Sequence, residues 1–554
     1  MKRILLLALV VMPLMVSCDK EKEEIITVNL DASNLTDDGF FDGLLYYKII
    51  SNNPRQVTIF KIGDRDNITS VEIPSAIKID ANIYSCTGIG YAAFSGCRGL
   101  TSIEIPSSVT SIGDRAFYDC SGLTSIMIPS SVTSIGGGAF SGCSGLTSIT
   151  IPSRLMSIGE GAFNGCSGLT SMEIPSSVTS IGGYAFSACS GLESIEIPSS
   201  VTSIGGHAFS ACSGLESIEI PSSVTSIGDF AFEFCSGLTS IEIPSGVTSI
   251  GDGAFYDCSG LRSIMIPSSV TSIGEGAFHS CYRLKSIEIP SGVTSIGGDA
   301  FSGCSGLKSI EIPSSVTSIG DFAFEFCSGL TSIEIPSGVT SIGRDAFYNC
   351  RGLTSIIVAS GNTKYDSRDN CNAIIETASN ALIVGCNNTF IPSSVTSIGG
   401  NAFSGCRGLT SIEIPSSVTS IGAGAFYDCS GLTSIMIPSS VTSIGEWTFR
   451  ACSGLKSIEI PSGVTSIGRA AFSDCSGLSS ITIPESVTSI EDYAFTGCSG
   501  LLTISVFNST PPSVTENSFE GLYSKVEVYV PKGSLSAYKN SSIWKSFSTI
   551  IEME

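Results

Sequence analysis

The apolar residues of this chain recur with a period of 23 residues from Gly90 onward, separated by Ser, Thr, Gly and Pro. One unit spans residues 122–144, and its candidate core positions are Leu123, Ile126, Ile128, Val132, Ile135, Ala139, Phe140 and Cys143. The Phe position occurs 17 times between Phe94 and Phe495. One coil alone cannot bury its apolar side chains, whereas stacked coils bury them all, so this period predicts a solenoid.

Within a unit, the spacing predicts one main strand and one shorter extended stretch. Ile126 and Ile128 are two residues apart, so a strand directs both inward and Met127 outward. Pro129 has no N–H to donate, which ends the strand. The Gly-rich segment 136–143 predicts a tight helical or 3-10 turn. The expected fold class is therefore a mostly β repeat solenoid of about 17 units with short turns.

The unit pattern Leu-x-x-Ile-x-Ile-Pro, followed by Val-x-x-Ile-Gly-x-x-Ala-Phe-x-x-Cys, resembles the BspA-like leucine-rich-repeat family. The resemblance covers residues 70–505, or 40–554 if looser terminal units are included. It implies a right-handed leucine-rich-repeat superhelix in a bacterial surface lipoprotein. It also implies a role as an adhesin or antigen that binds host matrix proteins.

The chain is expected to have seven segments, with capped ends because a solenoid otherwise exposes open edges. These are a lipoprotein signal peptide at 1–17, a lipidated acidic linker at 18–39, an N-terminal cap with a degenerate repeat at 40–90, repeats at 91–350, an irregular coil with a hairpin insertion at 351–397, repeats at 398–501, and a C-terminal cap at 502–554.

The insertion lies between Cys350 and Cys406, where the column of cysteines skips more than two periods. Two apolar runs flank Ser379 and Asn380, which predicts a protruding hairpin. Such a hairpin is either a tolerated insertion or a recognition element that also bends the solenoid.

The N-terminus has a basic start, an apolar run over residues 4–16 and a small residue before Cys18, as in a signal peptide. This arrangement resembles a bacterial lipobox with Cys18 as the lipidated residue, although Met15 and Val16 depart from its usual pattern. A plain secretory signal is the alternative. The acidic stretch 19–24 is either a solvated linker or resembles the export tag of Bacteroides-group surface lipoproteins. We expect a surface-exposed outer-membrane lipoprotein, with the periplasmic leaflet as the alternative.

The net charge of −22 argues against nucleic acid as a partner, because phosphate binding needs clustered Lys and Arg. Contact with the membrane is expected only through the lipid anchor. The sequence has no nucleophile elbow, zinc-protease motif or phosphate-binding glycine loop. We therefore expect no catalytic residues, no cofactor and a monomeric, non-enzymatic protein.

The 21 cysteines mark the period, and their regular column predicts buried reduced thiols rather than disulfides. Cys371 and Cys386 lie across the proposed hairpin and are the candidate pair. His207 and His279 are about three coils apart, so no metal site is predicted.

An acidic column occupies the outward position between the two strand isoleucines, where leucine-rich repeats have their concave face. It forms a candidate binding stripe of Glu104, Glu173, Glu196, Glu219, Glu242, Glu288, Glu311, Glu334, Glu413 and Glu459. One interpretation is solubility and protection against lateral sheet association. The other is a binding stripe for basic or cation-bridged ligands, in which Met127, Met265 and Met436 supply apolar contacts.

Aromatic residues follow the Ile-Gly pair in some units and should be partly solvent-facing. They are Tyr184, Phe230, Phe322, Trp447 and Tyr493. They either pack along the edge or act as contact points for proteins or sugars.

Three functions are therefore open. The first is an adhesin that binds a host matrix or cell-surface protein through the solenoid face. The alternatives are a carbohydrate-capture module with a glycan ligand and a passive antigenic coat protein. The fold alone does not choose among them.

Overall fold

The computed structural model describes residues 27–37 and 39–554, so the predicted signal peptide and Cys18 lie outside the described residues. The coils stack in parallel, and each residue lies opposite its equivalent 23 positions later, as Ser171 does with Ser194 and Ser157 with Ser180. The predicted leucine-rich-repeat solenoid is confirmed.

The first strand of each coil contributes to what we call the front sheet. In these strands Ile faces the core and its neighbours face outward, because side chains alternate along a strand. The strands are Ser70–Glu72, Ser102–Glu104, Ser125–Met127, Ser148–Thr150, Ser171–Glu173, Ser194–Glu196, Ser217–Ile218, Ser240–Glu242, Ser263–Met265, Ser332–Ile335, Ser355–Val358, Ser411–Glu413, Ser434–Met436, Ser457–Glu459, Ser480–Ile483, Thr503–Val506, Glu527–Val530 and Thr549–Glu552.

A second, two-residue strand in each coil forms the side sheet. Its Thr neighbours add a second ladder, in which Thr133 donates its N–H to the carbonyl of Thr110 at 2.9 Å. The strands are Ser111–Ile112, Ser134–Ile135, Ser157–Ile158, Ser180–Ile181, Ser203–Ile204, Ser226–Ile227, Ser249–Ile250, Ser272–Ile273, Ser295–Ile296, Ser318–Ile319, Ser341–Ile342, Ser397–Ile398, Ser420–Ile421, Ser466–Ile467, Ser489–Ile490 and Ser513–Val514.

The remaining side of each coil, such as residues 136–143, forms what we call the turn edge. The sequence predicted helical turns here, and this detail is wrong: the segments are hydrogen-bonded turns without helix. The reason is that two residues per coil have positive φ, as Arg115 and Asp119 do at 54° and 58°. Alternate N–H groups therefore point along the stack, and Phe117 donates to the carbonyl of Ala139 in the next coil at 2.7 Å.

Stacked rings and thiols fill the core behind the turn edge. Phe232 lies fully buried between Phe209 and Phe255, with ring centroids 5.5 Å from each. The Cys column lies next to it, and the Sγ of Cys143 donates to the carbonyl of Phe117 at 3.1 Å. That carbonyl also accepts the N–H of Cys120, so the thiol completes the hydrogen bonding of a buried acceptor.

The N-terminal cap is larger than the sequence predicted. Thr27–Leu30 pairs in parallel with Ala76–Ile79, although residues 18–39 were predicted to be a linker. This segment belongs to the cap because Leu30 is buried and because its main chain pairs with the edge of the cap sheet. The other cap strands are Leu35–Thr36, Gly39–Phe41, Leu45–Asn52, Arg55–Ile62 and Asn82–Ile89. Asn82–Ile89 pairs in parallel with Ser111–Ile112, which joins the cap to the side sheet.

The hairpin of the irregular coil does not protrude, contrary to the prediction. Ile374–Glu376 pairs antiparallel with Ala381–Val384, which in turn pairs parallel with Ser397–Ile398 of the side sheet. Tyr365–Asp366 adds a third strand. Both apolar runs carry buried residues, including Ile375 and Leu382, so burial holds the hairpin inside the stack.

This coil lacks a Phe turn, which interrupts the ring column between Phe347 and Phe403 and divides the core into two clusters. A cavity of about 430 Å³ opens between the two turn segments. The side chain of Asn401 donates to Asp345 across it at 2.9 Å.

The C-terminal end closes the second core cluster. Phe519 adds an eighteenth ring to the column, which the sequence count missed because this coil has one extra residue. Trp544 and Phe547 then pack on Phe519, each with centroids 5.3 Å away. The described helices are the α-helix Leu535–Asn540 and the 3-10 helices Ala32–Asn34, Arg368–Asn370 and Trp544–Ser546. None of the helices within residues 27–37 and 39–554 could span a bilayer.

Candidate functional site

The ten glutamates of the predicted stripe are all exposed on the front sheet. Neighbouring members lie in register, so that Glu196 is opposite both Glu173 and Glu219. Adjacent parallel strands are about 4.8 Å apart, so the carboxylates of consecutive Glu-bearing coils form a closely spaced line.

The stripe runs through a groove. A hollow of about 620 Å³ lies over Glu173, Glu196 and Glu219, and a second of about 1180 Å³ continues from Glu219 to Glu288. Ser, Ile and Glu residues line both, with Pro221 at the shared boundary. The front sheet is therefore hollowed along the acidic column over six coils.

The charge beside the stripe changes sign along the chain, which the sequence interpretation missed. Glu193 and Glu216, both exposed, flank the stripe where it is uninterrupted. Farther along, the same position is held by Arg262, Lys285 and Lys308. The change of charge is visible in the sequence, in the residue that follows Leu in each Leu-x-Ser-Ile segment.

Apolar residues interrupt the stripe in several coils. Met127, Met265 and Met436 are 80%, 65% and 74% exposed, so the sequence assigned them correctly to the outer face. Ile357 and Phe390 hold the same outward position near the irregular coil and are about half exposed. The longest stretch of unbroken acidic residues is consequently the one from Glu173 to Glu242.

Two of the five predicted aromatic residues of the turn edge are connected through a third ring. Tyr184 and Phe230 belong to one stack through His207, with centroid distances of 4.5 Å and 4.9 Å. Tyr184 and Trp447 are 44% and 39% exposed, whereas Phe230, Phe322 and Tyr493 are half-buried. The sequence singled out the five aromatics but missed His207 as the link.

A BspA-type leucine-rich-repeat model matches the chain in overlapping stretches, over residues 64–193, 156–285, 248–374, 382–502 and 465–550. The chain belongs to the BspA-type leucine-rich-repeat family. No curated protein matches it.

Two solved structures are similar to this chain. A leucine-rich repeat protein from Bacteroides ovatus ATCC 8483 is 34% identical, with a TM-score of 0.57, and the match covers 72% of this chain and 94% of that one. A leucine rich cell surface protein from Faecalibacterium prausnitzii A2-165 is 29% identical, with a TM-score of 0.40 and coverage of 85% and 95%.

The thiols of this BspA-type protein are unreactive by position. All 20 cysteines in the described part of the chain are buried and free. Burial raises the pKa of Cys189, Cys235 and Cys304 to about 12 in each case. Cys371 and Cys386 are also free, and Cys386 donates to the carbonyl of Asn372 at 3.3 Å.

The histidines of the BspA-type turn edge have structural partners. His207 contacts Glu233 at 3.2 Å, and His279 stacks on Tyr256 with centroids 4.4 Å apart. Burial lowers the pKa of His279, opposed by the carboxylates of Asp299 and Asp257. Three or more potential metal ligands do not converge anywhere among the residues that the structure describes.

Proposed function

We propose that this BspA-type chain is a non-enzymatic cell-surface binding protein that captures a basic segment of a host matrix or cell-surface protein. The observation that carries the proposal is the acidic groove of the front sheet, defined as the segment with Glu173, Glu196, Glu219 and Glu242. It combines a concave surface with an unbroken line of carboxylates.

The arrangement of charge supports binding over solubility alone. Like charges directly opposite in a sheet repel one another, so their alignment has an energetic cost. The flanking Glu193 and Glu216 increase that repulsion where the groove lies. Carboxylates in a concave site also focus their field outward, which attracts a cationic partner. A surface designed only for solubility would gain as much from acidic residues spread over all faces.

A location on the cell surface is part of this proposal. It rests on the signal-like N-terminus and on Cys18 as the lipidated residue, in a chain whose family the repeats establish. One lipid-modified Cys would tether the solenoid and leave the front sheet free to contact partners.

Replacing Glu173, Glu196, Glu219 and Glu242 with Gln should weaken binding to immobilised matrix proteins at least tenfold, because about 1.4 kcal/mol of electrostatic attraction is a factor of ten. Binding of the unaltered chain should also fall between low and high salt. Surface plasmon resonance at two ionic strengths measures both effects, with each matrix protein tested separately.

The matched control replaces Glu311, Glu334, Glu413 and Glu459 with Gln. It removes the same charge from coils outside the two hollows, two of which are flanked by Lys308 or Lys456, so binding should change little. Equal losses in both variants would indicate that net charge matters and the groove does not. If the folded chain binds none of the matrix proteins, the proposal fails and a passive coat function gains support.

A further inference from the structure

One position of the turn edge, the second residue after each Ile-Gly pair, has positive φ in successive coils. Its side chains form a column that runs parallel to the stack. From one coil to the next, the occupants are Arg115, Gly138, Gly161, Tyr184, His207, Phe230 and Gly253.

The three rings in this column form an ordered stack. Tyr184 and His207 are 9° from parallel, and His207 and Phe230 are 7° from parallel. Their planes therefore face along the axis of the solenoid. All three have φ between 54° and 56°, which bulky side chains seldom adopt.

The rings lean toward the following coil, which leaves one face of Tyr184 open. A Cβ at Gly253 would lie 2.2 Å from a ring atom of Phe230. At Gly161, which precedes Tyr184, the nearest such atom is the Cβ of Asn164 at 3.8 Å. The Phe230 ring thus occupies the place of a side chain at Gly253, whereas the corresponding place at Gly161 is vacant.

The vacancy is a trough of about 810 Å³. Tyr184 forms one end, and Tyr118 with Arg115 forms the other, where the guanidinium lies 5.9 Å from the centre of the Tyr118 ring. Gly138 and Gly161 form the floor between them, so two coils contribute no side chain to this column.

Polar groups line the same trough. They belong to Asp114, Ser141, Glu160 and Asn164. A flat aromatic face beside hydroxyl, amide and carboxylate groups suits a pyranose ring, which has apolar C–H faces and a rim of hydroxyls. The two carboxylates outnumber the single guanidinium of Arg115, so the trough carries net negative charge and disfavours uronic acids and sialic acids, which favours a neutral sugar.

We infer that this trough binds a neutral oligosaccharide, with one sugar ring stacked on the open face of Tyr184 over Gly161. The coil spacing of about 4.8 Å is close to ring-stacking distance, so this sugar takes the vacant place in the column. This site lies on the turn edge, away from the front sheet, and goes beyond the protein-binding function proposed above.

The test is isothermal titration calorimetry of the full chain, in a detergent without a sugar headgroup. The probes are cellohexaose, mannohexaose, xylohexaose and maltohexaose, with hexagalacturonate as the anionic counterpart. At least one neutral probe should bind and hexagalacturonate should not. Tyr184→Ala should weaken binding at least tenfold, and Tyr184→Phe should retain it because the ring face remains.

Two further variants separate the trough from general effects on folding. Gly161→Tyr should abolish binding by extending the ring stack into the vacancy, and Tyr184 shows that this backbone position accepts Tyr. Tyr493→Ala, at the same column position in a distant coil, should bind as the unaltered chain does. The inference is overturned if no neutral probe binds, if only hexagalacturonate binds, or if Tyr184→Ala and Gly161→Tyr bind normally. These outcomes are independent of matrix-protein binding by the front sheet.

Discussion

Raising the pH from 8 to 11 should unfold the repeat array, because its core is lined with protonated thiols. The pKa is raised to about 12 in eight cysteines. The main cause is a hydrogen bond with Cys143 in Cys120, and burial in the other seven, namely Cys86, Cys189, Cys235, Cys304, Cys350, Cys452 and Cys498. In the unfolded chain the same thiols titrate near their ordinary pKa of 9.0. Folding therefore gains full stability from them below pH 9 and loses it as the pH rises toward 12.

The expected loss is large. At pH 10 each such thiol favours the unfolded state by on the order of 1 kcal/mol, and the eight together by on the order of 10 kcal/mol. That sum is comparable with the whole stability of an ordinary domain, of about 5–15 kcal/mol. Circular dichroism at stepwise pH, with trapping of newly exposed thiols by iodoacetamide, measures the transition.

The matched variant replaces Cys212, Cys235 and Cys258 with Ala. Relative to its own stability at pH 7, it should lose less stability as the pH rises than the unaltered chain does, and it should therefore unfold at a higher pH. Tyr47 and Tyr538, whose pKa values are also raised by burial, remain in both proteins. The difference between the two curves therefore reports the thiols. Native dichroism at pH 11 without alkylation would contradict the prediction.

Phe232→Ala should lower the free energy of unfolding by about 3–5 kcal/mol, since it leaves a ring-sized cavity in a close-packed core. The ring also stacks on Phe209 and Phe255, and such pairs add about 0.5–1.5 kcal/mol each. Urea denaturation measures the change, and hydrogen exchange shows whether coils near the substitution open first.

Phe347→Ala is the comparison variant. Phe347 stacks only on Phe324, and it borders the cavity beside the irregular coil. Its removal should therefore cost less than that of Phe232. A larger loss at Phe347 would mean that the continuous ring column does not set the stability of the array.

Most of the fold could be predicted from the sequence because each coil repeats the same spacing of apolar residues and Pro. Ile126 and Ile128 alternate with an outward residue, Pro129 ends the strand, and the Phe and Cys columns mark the stack. The turn edge was not predictable in the same way. Positive φ at residues such as Tyr184 results from hydrogen bonding between coils, which a single unit does not encode.

The candidate sites show the same limit. The exposed Glu stripe followed from strand alternation and could be placed residue by residue. The groove beneath it and the stack through His207 depend on how adjacent coils meet. The irregular coil was misjudged because its apolar runs indicate a hairpin equally well inside or outside the stack. Burial of Leu382 decides between the two.

The uniform contacts between coils bear on how this chain changes over evolutionary time. Each coil forms the same hydrogen-bond ladders with the coil before it and with the coil after it. Whole units can therefore be duplicated or deleted in frame while the contacts between the remaining coils keep their geometry. The near-verbatim recurrence of residues 228–235 at 320–327 is consistent with such copying. The irregular coil has unlike surfaces on its two sides. We therefore expect recombination to change the number of regular coils before and after it, and to leave the irregular coil in place.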